Sequence, residues 1–101
     1  MAAKEFSKKV KKMKGVEKII LFGSVAKRKE RLTSDVDIAV MVQRKNKDLE
    51  REITRITERI LEKSRMKIVP IILTSKELED NEQFSRELKE GEILYERTKR
   101  S

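Results

Sequence analysis

The sequence contains no cysteine, no histidine and no tryptophan, and only one tyrosine and three phenylalanines among 101 residues. The lack of cysteine excludes disulfides, thiolate nucleophiles and cysteine metal sites. The lack of histidine removes the commonest general base and transition-metal ligand. No run of about 18 apolar residues is present, which excludes a membrane span, and residues 1–15 lack the apolar stretch of a secretory signal. We therefore expect a cytoplasmic domain whose chemistry uses carboxylates, hydroxyls, lysines, arginines or backbone groups with a hard cation.

Charge is abundant but unevenly placed. Charged residues make up 44% of the chain and the formal net charge is +8, and residues 1–31 hold eleven Lys and Arg against three Glu. A basic end of this kind attracts phosphate-rich or acidic partners. No aromatic side chains alternate with these lysines to stack on bases, so we expect a solvated helix face with weak, nonspecific nucleic-acid binding at most.

Apolar periodicity predicts one folded domain over residues 1–101, with a basic N-terminal helix within 1–14 and a frayed tail at 96–101. The elements run α-β-α-β-α-β-α-α-β, which is typical of a small α/β (α+β) domain with helices covering a sheet. The predicted helices are 3–14, a short basic one within 24–31, 48–63, a short one after the Thr74 cap and 81–90, and the predicted strands are 16–22, 35–42, 66–73 and 93–95. Pro70 places the third strand at an edge or a bulge.

Two short motifs carry candidate chemistry. Gly23 and Ser24 end a buried strand and open a short helix, an arrangement that offers backbone N–H groups and a hydroxyl to a phosphate chain. Asp35 and Asp37 lie two apart on the next strand, so their side chains share one face with Cα atoms roughly 6.5–7 Å apart. Two carboxylates so placed can converge on Mg²⁺. Together these residues predict a catalytic site for phosphoryl or nucleotidyl transfer.

The motifs resemble the nucleotidyltransferase signature of the DNA polymerase beta superfamily. The matching segments are Gly-Ser-Val-Ala at 23–26, Ser-Asp-Val-Asp-Ile at 34–38 and the ending from Phe84 to Tyr95, and the resemblance to minimal nucleotidyltransferases covers nearly the whole chain. It implies a palm-like mixed sheet with helices on one side. It also implies that Gly23 and Ser24 bind the phosphates of ATP or another nucleoside triphosphate, and that Asp35 and Asp37 hold Mg²⁺.

The resemblance further implies a partner. Minimal nucleotidyltransferases of this group pair with small helical HEPN-domain proteins in toxin–antitoxin systems, in which the transferase is the antitoxin and adds AMP to a partner tyrosine. A homo-oligomer is also compatible with the sequence. The domain is too small to hold a separate acceptor-binding domain, so the acceptor hydroxyl is expected to come from another chain.

Two positions depart from the family pattern. Arg28 stands where the family commonly has a glycine after the Gly-Ser turn, and Val69 stands where it has a third carboxylate, the usual general base or shared metal ligand. Three hypotheses about the function therefore stay open. The chain is an active nucleotidyltransferase, a catalytically degenerate binding protein on the same fold that neutralises a partner, or a basic nucleic-acid-binding module.

Overall fold

The computed structural model describes residues 2–23 and 35–97. In chain order the elements are α1 (Ala2–Val10), β1 (Val16–Phe22), β2 (Val36–Val42), α2 (Lys47–Ser64), β3 (Ile68–Thr74), α3 (Ser75–Glu79), α4 (Glu82–Lys89) and β4 (Glu92–Glu96). These agree with the predicted elements to within a few residues at each end. The predicted short helix within 24–31 and most of the predicted tail lie outside the described residues.

The four strands form one mixed sheet in the order β3-β2-β1-β4. β1 runs antiparallel to both β2 and β4, whereas β2 and β3 are parallel and are joined by the long helix α2. Pro70 lies in β3 at the edge of the sheet, as its missing N–H predicts. This is the single small mixed-sheet domain expected from the order of elements.

Helices cover both faces of the sheet. One face packs under α1 and α2 in a cluster of sixteen buried residues that includes Phe6, Ile38 and Ile53. The other face carries a smaller cluster of six buried residues, which includes Phe22 and Leu88 and against which α3 and α4 pack. The expectation of helices on one side is therefore wrong for this chain. β1 and β2 carry apolar side chains on both faces of the sheet, so helices must bury both faces.

Helix ends follow local chemistry. α1 stops at Val10, four residues before the predicted end, because tight turns at Met13 and Val16 follow it and Gly15 adopts a φ of 89°. The predicted capping box at Thr74 and Glu77 is present, with each side chain accepting a hydrogen bond from the backbone N–H of the other residue. None of the helices in the described part of the chain is long and apolar enough to cross a membrane.

Candidate active site

The candidate site lies where β1 ends and β2 begins. The two strands are antiparallel, and Phe22, the last residue of β1, pairs directly with Asp37. Gly23 follows Phe22, and Asp35 directly precedes β2. Three of the four predicted site residues are therefore brought together at one end of the sheet. Ser24 and the basic residues that follow it lie outside the described part of the chain.

Gly23 contacts the side chain of Asp37. Its φ is 81°, in the left-handed region that disfavours side chains, and a Cβ added there would lie 2.5 Å from Oδ2 of Asp37 and 3.4 Å from its Cγ. No residue larger than glycine fits without moving that carboxylate. The turn therefore favours glycine, and a side chain at this position would have to displace the Asp37 carboxylate.

Negative charge accumulates around Asp37. Partial burial raises the pKa of its carboxyl group above the usual value, and the nearby carboxylates of Asp35 and then Glu87 raise the pKa further. Within residues 2–23 and 35–97, none of these three carboxylates forms an ion pair with a lysine or arginine. The site therefore holds like charges together without a cationic side chain from the described chain to offset them.

Glu87 comes from α4, and the sequence analysis did not select it. The ring of Phe84, one turn earlier, meets Phe22 edge to face with centroids 5.2 Å apart, and Leu88 is buried in the same cluster. These contacts place α4 over the end of β1, beside the partner strand that carries Asp37. The spacing of Phe84 and Leu88 predicts that both side chains face inward, but it does not predict which strand they pack against.

Val69 occupies the position next to Asp37 on the other side. β3 pairs with β2 in parallel, and the register places Val69 opposite Asp37, so both side chains leave the same face of the sheet. Val69 is half-buried and belongs to neither apolar cluster. The residue at the expected third carboxylate position therefore does adjoin Asp37, and it supplies no oxygen.

Two acidic residues near α3, Glu77 and Glu82, have structural partners. Glu77 closes the capping box and pairs with Lys45 at 3.1 Å, and hydrogen bonds from the Thr74 backbone and Lys45 lower the pKa of its carboxyl group. Glu82 pairs with Arg86 one turn along α4. Both carboxylates therefore serve local contacts at the exposed junction of α3 and α4.

The donor set at the site suits Mg²⁺. Asp35 is exposed and Asp37 half-buried, so both offer hard carboxylate oxygens with access to solvent. Burial and then the charge of Asp35 raise the pKa of Asp37, and a bound divalent cation would stabilise the charged form of this carboxylate. In the described part of the chain, no three acidic side chains are grouped closely enough to hold an ion by themselves. A bound ion would therefore need further ligands such as water or nucleotide phosphate.

Comparison with known families identifies the class of protein. The model of the polymerase beta nucleotidyltransferase family matches residues 4–100, so the chain belongs to this family. This confirms the resemblance seen in the sequence. No curated protein gives a significant match to the chain.

Solved structures share the fold. A candidate nucleotidyltransferase from Sulfolobus solfataricus superposes with a TM-score of 0.59 at 22% identity, over 95% of this chain and 78% of that one. A toxin–antitoxin complex with AMP-PNP gives a TM-score of 0.64 at 16% identity, over 94% of this chain and 74% of that one. A complex of a tri-AMPylated HEPN toxin with an MNT antitoxin from Shewanella oneidensis gives 0.57 at 16% identity, over 96% and 74% of the two chains.

Proposed function

We propose that this protein transfers a nucleoside monophosphate group from a nucleoside triphosphate such as ATP to a hydroxyl group on another chain. The observation that carries this proposal is the approach of Gly23 to Asp37, with Asp35 beside it, at the shared end of β1 and β2. Membership of the polymerase beta nucleotidyltransferase family supports it. The fold alone would not, because one fold serves many activities.

Each residue has a role in this proposal. Asp35 and Asp37 are the ligands that would hold Mg²⁺, which when bound offsets the charge of the phosphates. Gly23 leaves space for the Asp37 carboxylate and exposes backbone at the strand end, where a triphosphate can approach closely. Ser24 is assigned to phosphate binding because its hydroxyl follows that glycine in sequence.

The structural relatives support a proposal for the acceptor and the biological partner. The described residues form one four-stranded sheet. Two of the similar structures are complexes of toxins with antitoxins, one of them with an AMPylated HEPN toxin. We therefore propose that a small helical HEPN-type protein carries the acceptor hydroxyl and that this chain acts as its antitoxin.

A second candidate function rests on Val69. Because valine stands beside Asp37 where a third carboxylate is expected, the chain could bind Mg²⁺ and nucleotide without efficient turnover. In that case it would neutralise a partner by binding alone. The two functions differ in one measurable property, the release of pyrophosphate from a bound triphosphate.

Calorimetric titration tests the shared part of both functions. ATP is titrated into the protein with and without Mg²⁺, and into Asp35→Asn and Asp37→Asn variants. We expect measurable affinity for wild type with Mg²⁺ and a loss of at least about tenfold in either variant, since charge-assisted contacts contribute about 1.5–3 kcal/mol each. Equal binding under all these conditions would exclude the proposed site. Pyrophosphate release then separates the transferase from the binding protein.

A further inference from the structure

Transfer to a hydroxyl requires a group that takes up its proton. Asp35 and Asp37 would be engaged with the cation, and the neighbouring Val69 side chain is an alkyl group. A carboxylate general base elsewhere at the site would therefore have to come from another element. Glu87 of α4 lies three residues after Phe84, whose ring contacts Phe22, and Phe22 is the direct strand partner of Asp37. The Glu87 carboxylate is also one of the charges that raise the pKa of Asp37.

We propose that Glu87 is the general base of this site and replaces the carboxylate that the family pattern places on β3. The inference rests on the proposed transferase function. It assigns the base to the β1 side of Asp37, on the helix α4, whereas Val69 lies on the β3 side. The side chain of Glu87 is exposed, so a hydroxyl carried by another molecule can reach it.

The packing of α4 places the backbone of Glu87 near the end of β1. Phe84 meets the ring of Phe22, which is the direct strand partner of Asp37, and Leu88 is 5% exposed between the helix and the sheet. Gly91 then leads into β4 so close to β1 that a Cβ there would lie 2.5 Å from the carbonyl oxygen of Leu21. Because Phe84, Leu88 and Gly91 all pack against β1, the intervening Glu87 lies on the segment that covers the end of this strand.

Two other carboxylates of this region have cationic partners. Glu82 forms an ion pair with Arg86, and Glu77 closes the capping box and pairs with Lys45. Within the described residues Glu87 has no such cationic partner. In the described part of the chain, Asp35, Asp37 and Glu87 do not form a three-carboxylate metal site.

The proposed step balances as follows. The acceptor hydroxyl gives its proton to the Glu87 carboxylate while its oxygen forms a bond to the α-phosphorus of the triphosphate. The bond from that phosphorus to the β-phosphate oxygen breaks, and pyrophosphate leaves with the electron pair. The protonated Glu87 is exposed and returns its proton to solvent.

The test compares Glu87→Gln with Glu82→Gln. The second variant is a matched control, because it also removes one negative charge from α4 but on a different side of the helix. Two quantities are measured: affinity for Mg-ATP by calorimetry, and pyrophosphate release from ATP with water and a high concentration of glycerol as acceptors. We expect Glu87→Gln to bind Mg-ATP within a few-fold of wild type and to lose about 10²–10⁴-fold in release rate, the usual contribution of a general base. Glu82→Gln should match wild type in both.

The outcomes separate this inference from the proposed function. If wild type does not bind Mg-ATP, the proposed function itself fails. If wild type binds Mg-ATP but releases no pyrophosphate, or if Glu87→Gln keeps the wild-type rate, Glu87 is not a working base and the inference is overturned. A loss of tenfold or more in Mg-ATP affinity in Glu87→Gln would also overturn it, because it would indicate a ligand or a structural residue.

Discussion

A methyl group placed at Gly23 should displace the Asp37 carboxylate, and Gly15 provides a matched control. Both glycines have positive φ, 81° and 89°, so alanine meets the same backbone strain at each position. The surroundings differ. A Cβ at Gly23 would lie 2.5 Å from Oδ2 of Asp37, whereas a Cβ at Gly15 has no atom within 4 Å.

The expected magnitudes follow from this difference. The left-handed conformation costs an L-residue about 1–2 kcal/mol, so each variant should lose about that much free energy of unfolding. That corresponds to a fall in melting temperature of roughly 4–16 °C for a domain of this size. The collision at Gly23 involves the end of a rotatable side chain, so it should add little to this cost. It should instead move the carboxylate by about 1 Å, a displacement that can cost about 10²-fold in rate.

The assay is therefore a pair of melting curves and a pair of Mg-ATP titrations. We expect Gly15→Ala and Gly23→Ala to melt at similar temperatures, with affinity reduced at least about tenfold in Gly23→Ala alone. In an Asp37→Ala background the added methyl group has no carboxylate to displace, so Gly23→Ala should then cost the same as Gly15→Ala in stability and should not alter the remaining affinity. Equal affinity in the two glycine variants of the wild-type background would refute the assigned role of Gly23.

Three further predictions concern the site and the basic end of the chain. In a Glu87→Gln background, Val69→Asp should recover at least about tenfold in pyrophosphate release by supplying a base from the other flank, whereas Val69→Asn should not; no recovery would show that Val69 is too far from the acceptor. Asp37→Asn should raise the free energy of unfolding at pH 7 by on the order of 1 kcal/mol or less. Because the pKa of Asp37 is raised in the folded state, protonation of this carboxyl group stabilises the fold. This stabilisation is fully present below the unfolded pKa and is lost as pH rises through the folded pKa. A gain in the free energy of unfolding of Asp37→Asn that persists in melting curves near pH 3 would contradict this reasoning. Duplex DNA should bind the lysines of residues 4–14 with a Kd of about 10⁻⁴–10⁻⁶ M at about 0.15 M salt and without sequence preference, and nanomolar selective binding in a salt titration would favour a nucleic-acid-binding module instead.

Local signals account for the parts of the fold that the sequence predicts well. The aliphatic run of β1 gives its exact bounds, and the stripe of Leu49, Ile53, Ile56 and Ile60 gives α2 to within a residue at each end. That Asp35 and Asp37 lie near each other was also predictable, because residues two apart on a strand share a face. These features depend on spacing along one or two neighbouring elements.

Features that depend on docking between distant segments were not predictable in the same way. The position of Glu87 depends on Phe84 meeting Phe22, two residues 62 positions apart whose contact leaves no mark in local periodicity. The second helical layer was missed for a related reason. An apolar residue such as Ala39 or Met41 can face a buried helix or a solvated edge, and only the tertiary structure decides between them.

The unequal sizes of the two apolar clusters give the molecule an uneven resistance to opening. α4 has Leu88 as its only buried residue, whereas α2 on the opposite face buries four side chains in the larger cluster. An element with so little buried apolar surface can detach at a free energy well below that of global unfolding. Amide protons of α4 should therefore exchange with solvent before those of β1 and β2. Each such opening of α4 would carry Glu87 away from Asp37 while β1 and β2 stay paired.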